Sequence, residues 1–446
     1  MSEAKVGLVV AASPVESGGE RAEEIINKAM GELKNCGLNV AKGKKIIWNL
    51  ADAIEVAEQL AKEGIDLLVI IHATWISDTI QYILVTTIKA PVVLWGLPFV
   101  ETFSIPCMQH FGSVLWERQI FYKYVYGLPE DEEVISTIND FALTAKLVQD
   151  LKGAKIALIG PRQTWRAAGS TDMTSEEWEL TDLFGAKIIH IEMDELIEQA
   201  KGKSKEEAEQ VLQNMKQHNR LGKVEIDEER LTYACKIYLG IRDLFKRYNL
   251  TGATAECYPK YSGITNLPAA WLADDNVTME TEGDIGHTIL MLAMRRLGKG
   301  GAVALTEAGK LDFKDNCLWV AHEGSSAYSL AESPEVVHIL EGGDEGTVVG
   351  FPFKPVEPVT VASLVGKKGT YRMFISKGKT EPIIEKEWVD AGRKLIAKLC
   401  FNCDVKVAFS RMLDQGVDHH LLLKGSDITS QLADLCNLLG IRKAYL

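Results

Sequence analysis

The sequence predicts an α/β protein with two parallel-sheet, Rossmann-like α/β domains and a smaller, mainly antiparallel β domain at the C-terminal end. Three observations predict it. Through the first 300 residues, short and almost wholly apolar runs alternate with segments of helical spacing, the pattern of strands buried on both faces and joined by crossover helices. Beyond Gly300 the texture changes to short β-rich runs separated by Gly, Pro and Lys. The length of 446 residues suits two or three domains, and the expected division is an N-terminal α/β domain over 1–150, a second α/β domain over 151–300 and a β-rich, barrel-like domain over 301–446.

The elements follow in order. Residues 6–12 form a continuous apolar run, read as the first buried strand. Ala22, Ile25, Ile26, Ala29, Met30 and Leu33 then recur at helical spacing. Asn49 is placed to cap a second helix carrying Ala53, Val56, Ala57 and Leu60, and Gly64 stops it. Residues 65–71 and 91–94 are the next strands, with a helix near 77–87 between them. An aromatic-rich segment over 98–126 leads to the turn Gly127-Leu-Pro129 and the acidic run 130–133, the signals of a domain boundary. A helix near 135–151 delivers the chain to residues 155–160, the first strand of a second alternating unit. The loop after it, 161–174, holds Arg162, Trp165, Arg166 and Gly169 at the end of a parallel strand where such sheets bind ligands. No G-x-G-x-x-G or Walker pattern is present there, so no nucleotide site is assigned. Ser204 and Glu207 make a capping box. Asp227 opens a helix with Leu231, Ala234, Tyr238, Ile241, Phe245 and Tyr248 on one face, and a short strand then stops at Glu256. In the last third, residues 347–349, 358–361 and 369–376 read as short strands with no helices between them. A final helix opens at Ser426/Asp427 and ends at Gly440.

Composition narrows the function. The chain has 49 Lys plus Arg against 62 Asp plus Glu, a net charge of −13, which argues against duplex nucleic acid and against anionic membranes as partners. Its apolar runs fall far short of the roughly 20 residues that span a bilayer, and Glu3 stands where a secretory leader wants positive charge; the expectation is a soluble cytoplasmic protein. Eight scattered cysteines do not make a disulfide framework. Cys400 and Cys403 lack the second pair of a four-ligand zinc site and are expected to be buried or loosely packed thiols.

The chemistry concentrates between Glu256 and His322. Glu280-Thr-Glu-Gly-Asp284 runs directly into the helical pattern Ile285, Ile289, Leu292, Ala293 and Met294. Its carboxylates therefore sit at a helix start, where free N–H groups and the dipole favour negative charge; the simple reading of Asp284 is a cap. Glu307 ends the apolar run 301–307 and so lies at a strand mouth. His322 ends 317–322 in the same way, with a satisfied core histidine as its alternative. Far downstream, Asp418-His419-His420 enters another apolar run. Adjacent strand residues point to opposite faces, so one of the two histidines can face a given metal. Carboxylates with imidazole suit Mn²⁺, Fe²⁺, Co²⁺ or Zn²⁺, and an open octahedral site favours Mn²⁺. Glu256 and Asp284 are the candidates for substrate contact.

These residues resemble a family. Glu282-Gly-Asp284 with its apolar helix, the strand-end Glu307, His322 followed by Glu-Gly-Ser-Ser-Ala, and the late His419-His420 look like the metal-dependent L-fucose and L-arabinose isomerases. Order and spacing agree to within a residue or two over 282–322, and weaker agreement at 91–98, 127–131 and 153–160 extends the resemblance over most of the chain. It implies an aldose–ketose isomerase of a small sugar, working through a cis-enediol. Mn²⁺ would be held by Glu282 and Glu307, by His322 as the additional histidine of the arabinose branch, and by His419 or His420. The two glutamates would also move the proton between the two carbons, and from sequence either is acid or base. The resemblance further implies a homo-oligomer, trimer or hexamer, whose neighbouring first domain helps close the pocket; the aromatic segment 75–116 is the candidate, with Trp95 at the end of its strand as a substrate contact, the alternative for Trp95 being packing between domains. The chain departs from the family in being shorter, and the fucose branch has aspartate near position 307. The alternatives are a non-catalytic sugar-binding protein and a metal-dependent hydrolase or aldolase with the same ligands. The strand-end Glu/His set weighs against the first, and the missing H-E-x-x-H and phosphate-cradling loop against the second.

Overall fold

The structure, a computed structural model, describes residues 3–160, 177–256, 260–324, 326–366 and 370–446; the loop over 161–174 falls outside them. The chain divides into two compact units, Met1–Asp150 and Leu151–Leu446.

The first unit runs β1 (Lys5–Ala11), α1 (Ala22–Asn35), β2 (Asn39–Lys42), α2 (Leu50–Glu63), β3 (Leu67–His72), α3 (Asp78–Ile88), β4 (Val92–Gly96), α4 (Ser104–Glu117), β5 (Tyr122–Tyr126) and α5 (Glu132–Gly153), within which the division falls. Its five strands are parallel, in the order β2-β1-β3-β4-β5. Every residue of β3 and β4 is buried, as their apolar runs require of strands covered on both faces. Asn49 accepts a hydrogen bond from Asp52 N–H to start α2, and Gly64 ends it at φ +63°. The aromatic-rich segment is α4 followed by the edge strand β5.

The second unit opens as a parallel α/β layer: β6 (Lys155–Ile159), α6 (Glu177–Phe184), β7 (Lys187–Ile191), α7 (Met193–Lys201), α8 (Lys205–Gln217), the short β8 (Lys223–Val224), α9 (Glu228–Tyr248), β9 (Gly252–Ala255), α10 (Asn266–Asp274), β10 (Thr278–Glu280) and α11 (Ile285–Leu297). Its sheet has the order β10-β9-β6-β7 and is parallel throughout. Ser204 and Glu207 close the capping box of α8, and Asp227 caps α9.

After Gly300 come β11 (Ala304–Asp312), β12 (Cys317–His322), β13 (His338–Gly342), β14 (Gly346–Pro352), β15 (Val356–Val365), β16 (Arg372–Glu381), α12 (Glu385–Asp390), β17 (Leu395–Phe401), α13 (Val405–Asp414), β18 (His420–Lys424), α14 (Thr429–Leu439) and β19 (Arg442–Ala444). The order β16-β15-β18-β11-β12-β17 closes on itself through a β16–β17 pairing, and all six pairings are antiparallel. This is the expected barrel-like part, a closed six-stranded ring with no free edge. β14, β13 and β8 continue the sheet from β17, and β19 adds to β16. No helix falls between β14, β15 and β16 among the described residues, as expected; past β16, α12 and α13 stand between strands, with Asp404 capping α13 and Val405, Ala408 and Met412 forming its buried stripe. One expectation needs correction. Cys400 is not a thiol but bonds to Cys317. The β12–β17 register sets the two directly opposite, with Leu318 facing Leu399 next to them, a pairing that 83 residues of separation hide in the sequence.

Among the described residues no helix is long and apolar enough to cross a membrane. Ile70, fully buried in the middle of β3, packs in the first unit's core. Ile70→Ala should cost about 2–5 kcal/mol of stability, read from chemical denaturation; a loss below about 1 kcal/mol would mean that the β3 face is not close-packed.

Candidate metal centre

The site is assembled where β9, β10 and the start of α11 meet the barrel strands β11, β12 and β18. Glu280 ends β10, fully buried. Its Oε1 accepts from Glu282 N–H (2.8 Å), and its Oε2 accepts from Asp284 N–H (3.0 Å) and from the Thr254 hydroxyl. Gly283 stands at φ +80°, and a Cβ there would lie 2.8 Å from Glu256 Oε2; glycine is required on both counts. Asp284 is the N-cap of α11, its Oδ1 accepting from His287 N–H at 2.9 Å.

The barrel supplies the rest through strand register. Glu307 on β11 stands directly opposite His420 on β18 and, on its other side, opposite Ala321 on β12, next to His322. Directly paired residues project on the same side of a sheet, so Glu307 and His420 converge. One ligand-type atom from each of Glu282, Glu307, His322 and His420 lies within 4.8 Å of every other. His322 Nε2 is 3.4 Å from Glu282 Oε1, and His420 Nε2 is 3.5 Å from Glu282 Oε2 and 3.7 Å from Glu307 Oε1.

Both Nε2 atoms are buried and without a hydrogen-bond partner, which buried polar atoms rarely tolerate. Donor atoms about 2.1 Å from one ion stand roughly 3.0–3.5 Å apart, close to the separations seen. Ring tautomers sharpen the fit. His420 Nδ1 donates to Asp284 Oδ2 at 2.9 Å, which leaves Nε2 as the nitrogen that faces the carboxylates and that would ligate on giving up its own proton, as in a carboxylate–histidine–metal arrangement. His322 is different: Gly324 N–H donates to its Nδ1 at 2.8 Å, which places the neutral ring's proton on Nε2. In this state His322 presents a donor toward Glu282, and ligation requires that proton to move and the Gly324 contact to break. Glu282 and Glu307 could thus hold a divalent metal as they stand, and His420 could on losing its Nε2 proton, with His322 at hand as donor or fourth ligand.

Electrostatics follow the same geometry. Burial opposes ionisation of Glu282, but His322 and His420 beside it hold its carboxyl well below the usual range. Asp284 is likewise held low, against its burial, by His287 and His420. Burial disfavours the charged His420 ring, yet Asp284 and Glu282 raise its pKa well above the ordinary histidine value. Glu280 goes the other way: burial, then the Asp284 and Glu282 charges, push it up to about 7.

The remaining expected residues lie elsewhere. His419 stays outside the cluster, 42% exposed, with its Nδ1 on Asp418 and its Nε2 3.5 Å from Glu307 Oε1. Asp284 is buried behind His420 rather than open to a substrate. Glu256 is buried beside Gly283. Trp95 is fully enclosed at the end of β4, its indole N–H donating to the Gly127 carbonyl within the first unit; a residue so placed packs and is not exposed for substrate contact. Sequence reasoning missed His287, which donates Nδ1–H to Asp284 Oδ2 at 2.7 Å and meets Ser363 Oγ at 3.1 Å through Nε2. The Asp284-x-x-His287 spacing at a helix start was the available signal; nothing in the sequence marks Ser363. If Asp284 fixes the His420 tautomer, Asp284→Asn should weaken divalent-metal affinity of the chelator-stripped protein about 10–100-fold, measured by calorimetric titration. Unchanged affinity would remove His420 from the ligands.

No family model matches the chain. Among curated proteins it is 21% identical over 371 residues to a sulfoquinovose isomerase of Alkalicoccus urumqiensis, covering 79% of each chain. It is 24% identical over 338 residues to that of Clostridium sp. (strain MSTE9), covering 72% of this chain and 71% of the relative, and 22% identical over 442 residues to that of Priestia aryabhattai, covering 96% of each. Solved structures of transporter binding proteins include the arabinose-binding component of an ABC transporter from Shewanella sp. ANA-3 (14% identity, 65% of this chain and 85% of that one, TM-score 0.16) and an ABC transporter solute binding protein from Burkholderia multivorans (12%, 67% and 93%, TM-score 0.20); at such TM-scores they carry no argument. Over most of its length, then, the chain is similar to proteins named sulfoquinovose isomerase.

Proposed function

We propose that the protein is a metal-dependent aldose–ketose isomerase acting on a small sugar through a cis-enediol intermediate, of the L-fucose and L-arabinose isomerase kind, with Mn²⁺ as the metal. One observation carries the reading: Glu282, from the α/β part of the second unit, meets Glu307, His322 and His420 of the barrel around two buried, partnerless imidazole nitrogens. The names of the curated relatives support a sugar isomerase. Sulfoquinovose, the sugar in those names, is the first substrate to test, with L-fucose and L-arabinose beside it. The same reading includes a cytoplasmic homo-oligomer, trimer or hexamer.

When bound, a divalent metal would stabilise negative charge on the two vicinal oxygens of the enediol. The protein's own groups handle the proton. Glu307 is the more open of the two glutamates, 43% exposed against 26% for Glu282, and its Oε2 has no partner among the described residues. It is the carboxylate able to reach a carbon-bound proton alpha to the carbonyl and to return it to the neighbouring carbon. Glu282, held ionised between His322 and His420, is fixed as a charge and is the less mobile of the pair. His322 adds an Nε2–H donor at the same locus, suited to a substrate oxygen.

Mn²⁺-loaded protein incubated with each aldose in D₂O should incorporate deuterium at C1 or C2 with the correct sugar, followed by NMR; binding without exchange for all three would leave only sugar recognition. Glu307→Gln should slow that exchange about 10²–10⁴-fold with the thermal midpoint unchanged, and full retention would take Glu307 out of the proton transfer. His322→Ala separates its two roles: Mn²⁺ affinity falls if it ligates, and holds while turnover drops if it only donates.

A further inference from the structure

Three consecutive backbone N–H groups, those of Glu282, Gly283 and Asp284, point into one buried spot at the start of α11. Two of them go to Glu280, and the third, Gly283 N–H, goes to Thr254 Oγ1 at 2.8 Å. Thr254 in turn donates its hydroxyl to Glu280 Oε2. Such a nest at a helix N-terminus ordinarily receives an anion from outside; here the chain's own Glu280 carboxyl takes that place. Glu280 and Thr254 are both fully buried, and they lie on the neighbouring parallel strands β10 and β9, where Glu280 is in register with Thr254. The carboxylate therefore sits on the sheet, and the loop is wrapped around it.

The two residues anchored on Glu280 are the two with the most to position. Glu282 must aim its carboxylate between His322 and His420, and Asp284 must hold the His420 ring through Nδ1. We propose that Glu280 and Thr254 are positioning residues for the metal centre: an internal carboxylate–hydroxyl pair that fixes residues 282–284 so that Glu282 and His420 meet the ion with no ordering left to do on binding. This role rests on the reading of the centre as a metal site. A deleted Glu280 charge leaves the helix folded, capped as it is by Asp284, but frees the loop.

The test is Mn²⁺ binding to chelator-stripped protein, followed by calorimetry and by the electron paramagnetic resonance of free Mn²⁺, alongside thermal melts of the stripped protein. Glu280→Gln, which puts an amide donor against backbone N–H groups, should weaken Mn²⁺ binding about 10–100-fold. Thr254→Val, which removes the hydroxyl at nearly constant volume, should weaken it about tenfold, and Thr254→Ser, which restores the hydroxyl, should return it to within about twofold of wild type. The Thr254 pair carries the test if Glu280→Gln does not fold. Variants that melt lower yet bind Mn²⁺ as tightly as wild type would overturn the positioning role and leave the metal centre standing. Failure of the wild type itself to bind Mn²⁺ would overturn the centre and this role with it.

Discussion

Asp284 Oδ2 accepts two imidazole N–H groups, one from His287 on its own helix and one from His420 on barrel strand β18. That one oxygen joins the α/β layer of the second unit to the barrel at the point where the candidate ligands meet. It selects the tautomer of both rings, which stand edge to face with centroids 5.4 Å apart. The Ser363 hydroxyl on β15 donates to the far nitrogen of His287, so the chain of contacts runs from strand to helix to strand and leaves no polar atom open until it reaches His420 Nε2. Buried networks of this kind stabilise only when every member is satisfied; here the network ends at His420 Nε2, inside the cluster that could hold a metal.

The charge arrangement makes the same demand. Glu280, Glu282 and Asp284 crowd one helix start, with Glu256 close behind Gly283. Burying carboxylates costs several kcal/mol each unless they are paired and hydrogen-bonded. Backbone N–H groups and Thr254 serve Glu280, two histidines serve Asp284, and Glu282 is left facing imidazole nitrogens at distances too long for hydrogen bonds. A divalent metal held there would offset the crowded carboxylates and take up the His420 Nε2 that lacks a partner.

Much of this was readable from residue types and spacing. The apolar runs of β1, β3 and β4, the caps Asn49, Ser204 and Asp227, and the texture change after Gly300 follow from local chemistry alone. Glu282 at a helix start and His322 at a strand end lie where the apolar runs put them. Glu307 does not end its strand: β11 continues through polar and exposed residues to Asp312, so Glu307 stands mid-strand where the apolar run, not the strand, stops. The role of Glu280 was not readable, although it sits in the same five-residue motif, because a carboxylate at a strand end looks alike whether it faces a ligand or its own backbone. Cys317 and Cys400 were missed because their meeting depends on the register of two strands far apart in sequence.

The choice between His419 and His420 marks the boundary. Alternation along a strand was the ground for expecting one of them on the ligand side; in the structure His419 precedes β18 and His420 begins it. Which one was decided by the pairing of Glu307 opposite His420 and by Asp284 reaching His420 Nδ1 from 136 residues away. The sequence alone determined the periods, the caps and the kinds of ligand, because these depend on neighbours within a few residues. Register, ring tautomer and the convergence of four side chains depend on which strands lie side by side, and only the closed barrel packed against the start of α11 decides that.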